Sequence, residues 1–149
     1  MQENPYQFKR PTIEISYDFK SISQEKEVEK RVVFSTSDYQ SIYNLALVDV
    51  LEDGTLSDIV ETRNKDMKTV LATVVRIVED FLNINPQNIV IFKGTDERRQ
   101  RLYRLLIGRE LTKIEERFCV FGGVKGNSKP QLFQRDVPYD YFIITKIKT

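Results

Sequence analysis

The sequence predicts an α+β fold built on a mixed, mostly antiparallel sheet of about six to seven strands with two helices. Residues 12–20 alternate apolar and polar side chains, a pattern typical of a strand with one buried face. Residues 66–83 instead repeat apolar side chains at steps of three and four, which is typical of an amphipathic helix. The strand and helix patterns follow each other in the order β-β-β-(β)-α-β-α-β-β. A chain of 149 residues is long enough to bury a core, so we predict one α+β domain over residues 1–149.

The first half of the chain is predicted to consist of strands. Residues 27–36 form the second strand, which follows the first after a polar turn. Residues 42–51 are apolar on both alternations, as expected of a central strand that is covered on both faces. The sequence Glu-Asp-Gly-Thr at 52–55 then predicts a turn, and a short strand follows at about 55–61.

The second half is predicted to mix helices with strands. The helix at 66–83 leads into a buried strand, and a second helix follows that strand after a short turn. Residues 110–116 add another helical turn, and two strands close the fold. The predicted elements are a strand at 88–93, a helix from Asp96 to about Gly108, and strands at 117–124 and 139–147.

The second helix is predicted to pack through leucine side chains. Leu102, Leu105 and Leu106 form its predicted apolar face, and Tyr103 and Ile107 flank that face. Acidic residues open the helix, which suits the positive end of a helix dipole.

The composition excludes several kinds of active site. The chain contains no histidine and a single cysteine, which excludes Ser-His-Asp and Cys-His catalysis, histidine-bound zinc and an intrachain disulfide. Cys119 lies in the apolar run 118–121, which predicts a buried structural thiol. We predict no catalytic residue, no metal site and no cofactor. No apolar run of membrane-spanning length is present, and a lone cysteine without a signal peptide indicates a reducing compartment, so we expect a cytoplasmic protein without membrane contact.

The near-neutral net charge of +1 hides an uneven distribution of charged side chains. Residues 1–62 hold 6 basic and 12 acidic side chains, whereas residues 63–149 hold 17 basic and 10 acidic ones. The densest basic stretch is 93–109, where six basic side chains meet two acidic ones. We therefore predict an anion- or partner-binding site at the turn from the strand to the second helix. Its candidate residues are Gly94, Thr95, Arg98, Arg99, Arg101 and Arg104.

Arg98 lies in the first turn of the second predicted helix, where a cation opposes the helix dipole and needs a nearby anion. One candidate anion is Asp49, because a carboxylate on a central strand is costly to bury unless it is paired, and an arginine can pair with it through two hydrogen bonds. The other is a phosphate or carboxylate ligand bound by the amides after Gly94 and Thr95. The structural ion pair Asp49–Arg98 is the preferred interpretation, and the ligand site stays open beside it.

Three stretches give the chain a resemblance to a family of small uncharacterised bacterial proteins. They are residues 43–58, 69–81 and 92–111, and the similarity extends from about residue 12 to the end. In that family a core of threonine and arginines that ends in Leu-Tyr-Arg follows the strand. Here it is matched by Thr95, Arg99, Arg101, Leu102, Tyr103 and Arg104, with Arg98 beside them. The resemblance implies the fold and the location of the site, and it implies no particular reaction.

The element order also resembles the central part of the GNAT acyltransferase fold, which has three strands, a helix, a strand, a helix and two strands. The pair Leu102-Tyr103 after the strand is similar to that family's helix. The family's pyrophosphate loop would lie at 61–66, where this sequence has no glycine. The resemblance implies an alternative function, a GNAT-like acyltransferase or phosphate-ligand enzyme that lacks the usual pyrophosphate loop.

We predict a non-enzymatic cytoplasmic binding or interaction protein, whose turn at 94–104 takes an acidic protein segment or a phosphorylated small molecule. An open cleft between strands 42–51 and 88–93 would favour the enzyme alternative, whereas a closed sheet with Arg98 bonded to Asp49 would favour the binding protein. Nucleic-acid binding is not predicted, because no basic and aromatic strand of RNA-binding type is present. A homodimer that joins the acidic half of one chain to the basic half of another is a third alternative.

Overall fold

The computed structural model describes residues 3–24, 26–57, 64–126 and 129–147, without the side chains of residues 64 and 65. The strands are β1 (Glu14–Ile22), β2 (Glu27–Thr36), β3 (Ile42–Val50), β4 (Leu56–Ser57), β5 (Ile89–Phe92), β6 (Phe118–Gly123), β7 (Gln131–Leu132) and β8 (Tyr141–Lys146). The helices are α1 (Asn64–Ile84), α2 (Glu97–Arg109) and the short α3 (Leu111–Glu115). None of these helices is long and apolar enough to cross a membrane. The predicted α+β class is confirmed, and the predicted element order holds except that it lacks the short β7.

The strands of the described ranges form one mixed sheet of eight strands. Their order is β1-β2-β3-β5-β8-β6-β7, and the short β4 pairs with β3 beside that path. Neighbouring strands are antiparallel except for β3 and β5, which are parallel. These two strands run in the same direction because α1 carries the chain back to the other end of the sheet between them. The prediction of a mixed, mostly antiparallel sheet is confirmed.

Both long helices pack on the same face of the sheet. Phe34, Leu45 and Phe92 lie side by side on three neighbouring strands, so their side chains point to one face. Phe34 stacks on Phe81 of α1 with ring centroids 3.9 Å apart, and Phe92 contacts Tyr103 of α2 at a centroid distance of 4.8 Å. The hydrophobic core therefore lies between this face and the two helices.

The opposite face of the sheet is only partly buried. On β3 it carries Asn44 and Ala46, which are exposed, and on β5 it carries Ile91, which is half-buried. The prediction that the strand at 42–51 is covered on both faces is therefore wrong. The physical reason is that α1 and α2 both pack on the other side of β3 and β5.

Helix α2 packs through a different stripe from the predicted one. Its buried residues include Gln100, Tyr103 and Ile107, which are spaced three and four apart, and Leu106 beside them. Leu105, predicted to lie on the apolar face, is 53% exposed. The leucines therefore indicated a face that is rotated away from the one that meets the sheet.

Candidate functional site at the opening between β3 and β5

The sheet opens between β3 and β5. The two strands pair only from Ile42 to Leu45 on β3, and β4 pairs with the same edge of β3 only from Asp49 onward. The other edge of β3 pairs with β2 along almost its whole length. β5 diverges from β3 after Leu45, so a space separates the residues that follow on β3 from the turn after β5. This gap lies directly beside the turn that was predicted to form the site.

Leu47 directs its backbone N–H and C=O into this gap. Successive residues of a strand direct these groups to opposite edges, so residues two apart share an edge. The Ser41 carbonyl accepts a hydrogen bond from the Ile89 N–H at 2.8 Å, and the Leu51 N–H donates to the Thr55 carbonyl at 2.8 Å. Both contacts place the odd-numbered residues of β3 on the edge that faces β5 and β4. Leu47 itself is 7% exposed.

A cleft of about 600 Å³ occupies the gap. Its wall on the helix side is formed by buried apolar and aromatic residues, which are Leu45, Leu47, Phe92 and Tyr103. Its wall on the open face of the sheet is formed by Asn44, Ala46, Lys93 and Tyr141. Of the predicted site residues, Gly94 and Thr95 line the cleft. The cleft is therefore apolar on its inner side and polar at its mouth, which suits a ligand with both kinds of group.

Tyr103 supplies a hydrogen-bond donor in the inner wall. The residue is 4% exposed, and its hydroxyl oxygen is accessible and without a hydrogen-bond partner among the described residues. Burial raises the pKa of Tyr103 to about 12; the guanidinium of Arg99 opposes this rise, and the carboxylates of Asp96 and Asp49 add to it. The phenol is therefore protonated at neutral pH, and it acts as a donor rather than as a base.

The turn at Gly94 is fixed by Gln100. The Gly94 N–H donates to Gln100 Oε1 at 2.6 Å, and Gln100 Nε2 donates to the Tyr139 carbonyl at 2.9 Å. A Cβ on residue 94 would lie 2.5 Å from the Gln100 backbone nitrogen, so only glycine fits there. The side chain of Asp96 caps α2 by accepting from the Arg99 N–H at 2.8 Å. The amide N–H groups of Gly94 and Arg99 are thus bonded within the protein, which fixes the turn and the start of α2.

The four predicted arginines fall into two groups. Arg99 forms an ion pair with Asp96, and its Nε is buried without a hydrogen-bond partner within the described ranges. Arg104 pairs with the glutamate that begins α2, at 3.4 Å, and donates to a backbone carbonyl at 3.1 Å. Arg98 and Arg101 are exposed, and neither forms an ion pair with any residue that the structure describes. Two of the four predicted cations are thus free to meet a partner.

The partner of Asp49 is Lys30. The Lys30 Nζ lies 2.7 Å from Asp49 Oδ1, and the two residues stand opposite each other on β2 and β3. Their side chains are 0% and 8% exposed. The structure thus pairs Asp49 with Lys30 in place of the predicted ion pair Asp49–Arg98. The reason is that Lys30 shares the inward-facing side of the sheet with Asp49, whereas Arg98 is exposed on α2.

The ionisable side chains in the described lining of the cleft are Lys93, Tyr103 and Tyr141. None of the described residues that line it is Asp, Glu, Ser or Cys. The described ranges also contain no cluster of three or more His, Cys, Asp or Glu that could hold a metal ion. Cys119, predicted to be buried, is a free and half-buried thiol. The polar side chains of its described lining are those of Asn44, Lys93, Thr95, Tyr103 and Tyr141.

The predicted site lacked several of these residues. Asn44 and Leu47 gave no signal, because the gap beside them depends on where β5 ends rather than on their own identity. Gln100 did give a signal in the sequence, since it lies three residues before Tyr103 and therefore on the same side of the helix. Lys30 also gave a signal, because it stands in its strand at a position where the alternation calls for an apolar side chain.

A protein-family model described as a family of unknown function (DUF6934) matches residues 2–147. No curated protein and no solved structure matches the chain. The predicted resemblance to a family without an established function is confirmed, and the match includes the whole cleft. The GNAT resemblance stays a prediction, and residues 61–63 of its expected pyrophosphate loop lie outside the described ranges.

Proposed function

The chain belongs to DUF6934, a family of unknown function, and we propose that it is a non-enzymatic binding protein that takes a ligand with an anionic group in the cleft between β3 and β5. The observation that carries this proposal is the cleft of about 600 Å³ beside the turn at Gly94, where buried Leu45, Leu47 and Phe92 form an apolar wall next to Lys93. A concave site with a mostly apolar wall and a few polar groups is the usual form of a binding pocket.

The charges around the cleft favour an anionic group. Lys93 lines the mouth, and Arg98 and Arg101 lie exposed on the helix that starts beside it. An exposed ion pair contributes only about 0–1 kcal/mol, so these cations select and orient an anion without holding it alone. The remaining affinity must come from apolar contacts with the inner wall, where Leu47 and Phe92 lie.

We place this binding protein in the cytoplasm. Support comes from Cys119, which has no second cysteine in the chain to pair with, since unpaired thiols persist in reducing compartments.

A thermal-shift screen tests the proposed function. The probes are inorganic phosphate, nucleotides, coenzyme A and a glutamate-rich peptide, each added to the wild type, Lys93→Ala and Arg98→Ala. A probe that binds raises the Tm of the wild type, and we expect the two variants to lose most of that rise. Arg109→Ala, an exposed arginine at the other end of α2, is the matched control and should keep it. An equal rise in all four proteins, or no rise with any probe, would contradict the proposal.

The cleft between β3 and β5 also favours a second candidate function, an acyltransferase-like or phosphate-ligand enzyme. An open cleft between these two strands is the feature expected of that alternative. Tyr103 is the one side chain of the inner wall with a transferable proton. The test is release of free thiol from acetyl-coenzyme A with a panel of amines, using the wild type and Tyr103→Phe. Turnover that Tyr103→Phe abolishes without loss of coenzyme A binding would favour the enzyme.

A further inference from the structure

We infer that the chain forms a symmetric homodimer in which β1 of one copy pairs with β1 of a second copy. The two strands run antiparallel, so the two sheets become one continuous sheet. The contact is separate from the cleft, because β1 is the edge strand and β2 lies between it and β3. It also differs from a homodimer that joins the acidic half of one chain to the basic half of another, since both copies use the same strand. Three features of β1 support it.

The first feature is the outer edge of β1, which lies at the end of the strand order. The Ile13 carbonyl accepts a hydrogen bond from the Thr36 N–H at 3.0 Å, which places odd-numbered residues of this stretch in hydrogen-bonded pairs with β2. Even-numbered residues therefore direct their N–H and C=O groups outward. Residues 3–12, which precede the strand, are exposed and form no strand beside this edge. The outward-directed residues are themselves exposed, and they are Glu14, Ser16, Asp18, Lys20 and Ile22.

The second feature is that β1 lacks most of the devices that keep strand edges apart. Edge strands are usually short, interrupted by a bulge or a proline, or covered. β1 instead runs for nine residues without a proline, and its register with β2 continues without a bulge. It also carries exposed apolar side chains, since Ile15 is 39% exposed and Ile22 is 71% exposed. Such an edge is suited to pairing with another strand.

The third feature is the self-complementary order of side chains along β1. When two copies pair around Tyr17, each residue stands opposite the partner residue at the same distance on the other side of Tyr17. On the open face of the sheet this places Glu14 opposite the partner's Lys20, twice by symmetry. On the helix face it places Ile15 opposite the partner's Phe19, also twice. Oppositely charged pairs and apolar pairs are the cross-strand contacts that stabilise a sheet.

The neighbouring registers are less favourable. Even-numbered residues must face one another to exchange hydrogen bonds, so the possible registers differ by two residues. A shift in one direction places Asp18 opposite the partner's Asp18, and a shift in the other places Glu14 opposite the partner's Asp18. Like charges directly opposite each other are destabilising. The register around Tyr17 avoids both contacts and provides about eight backbone hydrogen bonds, a number within the range of specific interfaces.

The charged side chains of β1 are available for this register. Glu14 is exposed and forms no ion pair with any residue that the structure describes. The side chain of Lys20 is 63% exposed, and its only contact with a described carboxylate is to Glu27 at 3.7 Å. Asp18 is already paired with Arg31 at 2.6 Å, and it would stand opposite the partner's uncharged Ser16. The dimer therefore adds an ion pair at each end of the contact without breaking one.

The first measurements are the mass of the full chain and its hydrogen exchange. In analytical ultracentrifugation we expect the mass to rise from 17.5 kDa towards twice that value as the protein concentration increases. Exchange of the ¹⁵N-labelled chain, followed by NMR, locates the contact. The amides of Ser16, Asp18 and Lys20 should exchange about tenfold or more slowly where the dimer predominates. The amides of Tyr17 and Phe19, which are bonded to β2, should be slow at every concentration.

A proline on the outer edge tests the backbone contact. Ser16→Pro removes an N–H that points away from β2, so the hydrogen bonds within the fold persist while the edge can no longer pair. We expect this variant to be folded by circular dichroism and monomeric at concentrations where the wild type is a dimer. Ser16→Ala is the matched control, because it keeps the N–H, and it should dimerise like the wild type.

A charge exchange tests the register and does not depend on the proline variant. Lys20→Glu places a carboxylate opposite the partner's Glu14, and Glu14→Lys places an ammonium opposite the partner's Lys20. Each variant should weaken the dimer about tenfold or more. The double variant restores opposite charges across the contact and should recover most of the affinity.

A monomer at every concentration up to about 1 mM would overturn the inference. A dimer that persists in folded Ser16→Pro would also overturn it, as would slowed exchange that omits the amides of Ser16, Asp18 and Lys20. A double charge variant that dimerises no better than either single variant would show that the register is wrong.

Discussion

Lys30 and Asp49 form a buried ion pair that joins β2 to β3, with Lys30 Nζ 2.7 Å from Asp49 Oδ1. Asp49 is also the residue at which β4 begins to pair with β3, so it marks the end of the gap in the sheet. Its negative charge helps to raise the pKa of Tyr103, in the inner wall of the cleft. The pair therefore belongs to the framework of the candidate site as well as to the core.

Removing one partner of this pair should be strongly destabilising. Lys30→Met leaves the Asp49 carboxylate buried without its cation, and losses of about 3–5 kcal/mol are typical of such changes. Unfolding in urea, followed by circular dichroism, measures the loss of free energy of unfolding.

The double variant Lys30→Met with Asp49→Leu is the control for that measurement. It removes both charges and fills the site with apolar atoms, which is often neutral or stabilising, so it should recover most of the loss. A double variant that is as unstable as Lys30→Met alone would show that the ion pair is not the source of the effect.

Local periodicity explains why the elements could be predicted from the sequence. The strand predicted at 27–36 coincides with β2, and the helix predicted at 66–83 lies within α1. Such patterns depend only on residues a few positions apart. β7 was missed because its two residues, between the strands predicted at 117–124 and 139–147, are too few to show a period.

The candidate site depends instead on relationships between distant residues, which periodicity does not contain. The turn at Gly94 was predicted from its local sequence, and it does line the cleft. The pairing of Lys30 with Asp49 depends on the register between β2 and β3, and the gap at Leu47 depends on where β5 leaves β3. The helix pattern likewise predicted α2 but not the face that it buries, and it did not show that Gln100 would meet the Tyr139 carbonyl.

Gly94→Ala should destabilise the protein and move the start of α2. The added Cβ would lie 2.5 Å from the backbone nitrogen of Gln100, so the backbone must shift, and insertions that force such shifts cost about 1–3 kcal/mol. Gly108→Ala is a control in the same helix, where the added Cβ would meet the Arg135 side chain at an ordinary 3.6 Å. Because alanine favours a helix over glycine, we expect this variant to gain about 0.5–1 kcal/mol. Thermal unfolding compares the two, and equal effects would argue against a steric requirement at residue 94.

The free energy of unfolding should fall as the pH rises from 10 to 12. The pKa of Tyr17 is raised from 10.0 to about 12 by burial and by its hydrogen bond to Asp80, at 2.8 Å. A group whose pKa is higher in the folded than in the unfolded state stabilises the fold below the unfolded pKa, and that contribution is lost as the pH rises through the folded pKa. The free energy of unfolding of Tyr17→Phe should therefore fall less across this range. The fall that remains in this variant is due to Tyr103, whose pKa is also about 12. Urea unfolding at several pH values measures the slope, and Tyr39→Phe, at a residue that is 72% exposed, should leave it unchanged.

A small apolar cavity in the core should accept one more methylene group. The cavity has a volume of about 30 Å³ and lies between α1, α2 and the sheet, with Val74 and Val78 of α1 in its wall. Val74→Ile adds one CH₂ group next to this space. We therefore expect the free energy of unfolding to rise by about 0.8 kcal/mol, the value of one buried methylene. Val70→Ile is the matched control, since Val70 is a buried valine of the same helix that does not line the cavity, and overpacking there should cost about 1–3 kcal/mol. Opposite signs in urea unfolding would establish the cavity as a packing defect, whereas losses in both variants would mean that the cavity wall is too rigid to accept the added group.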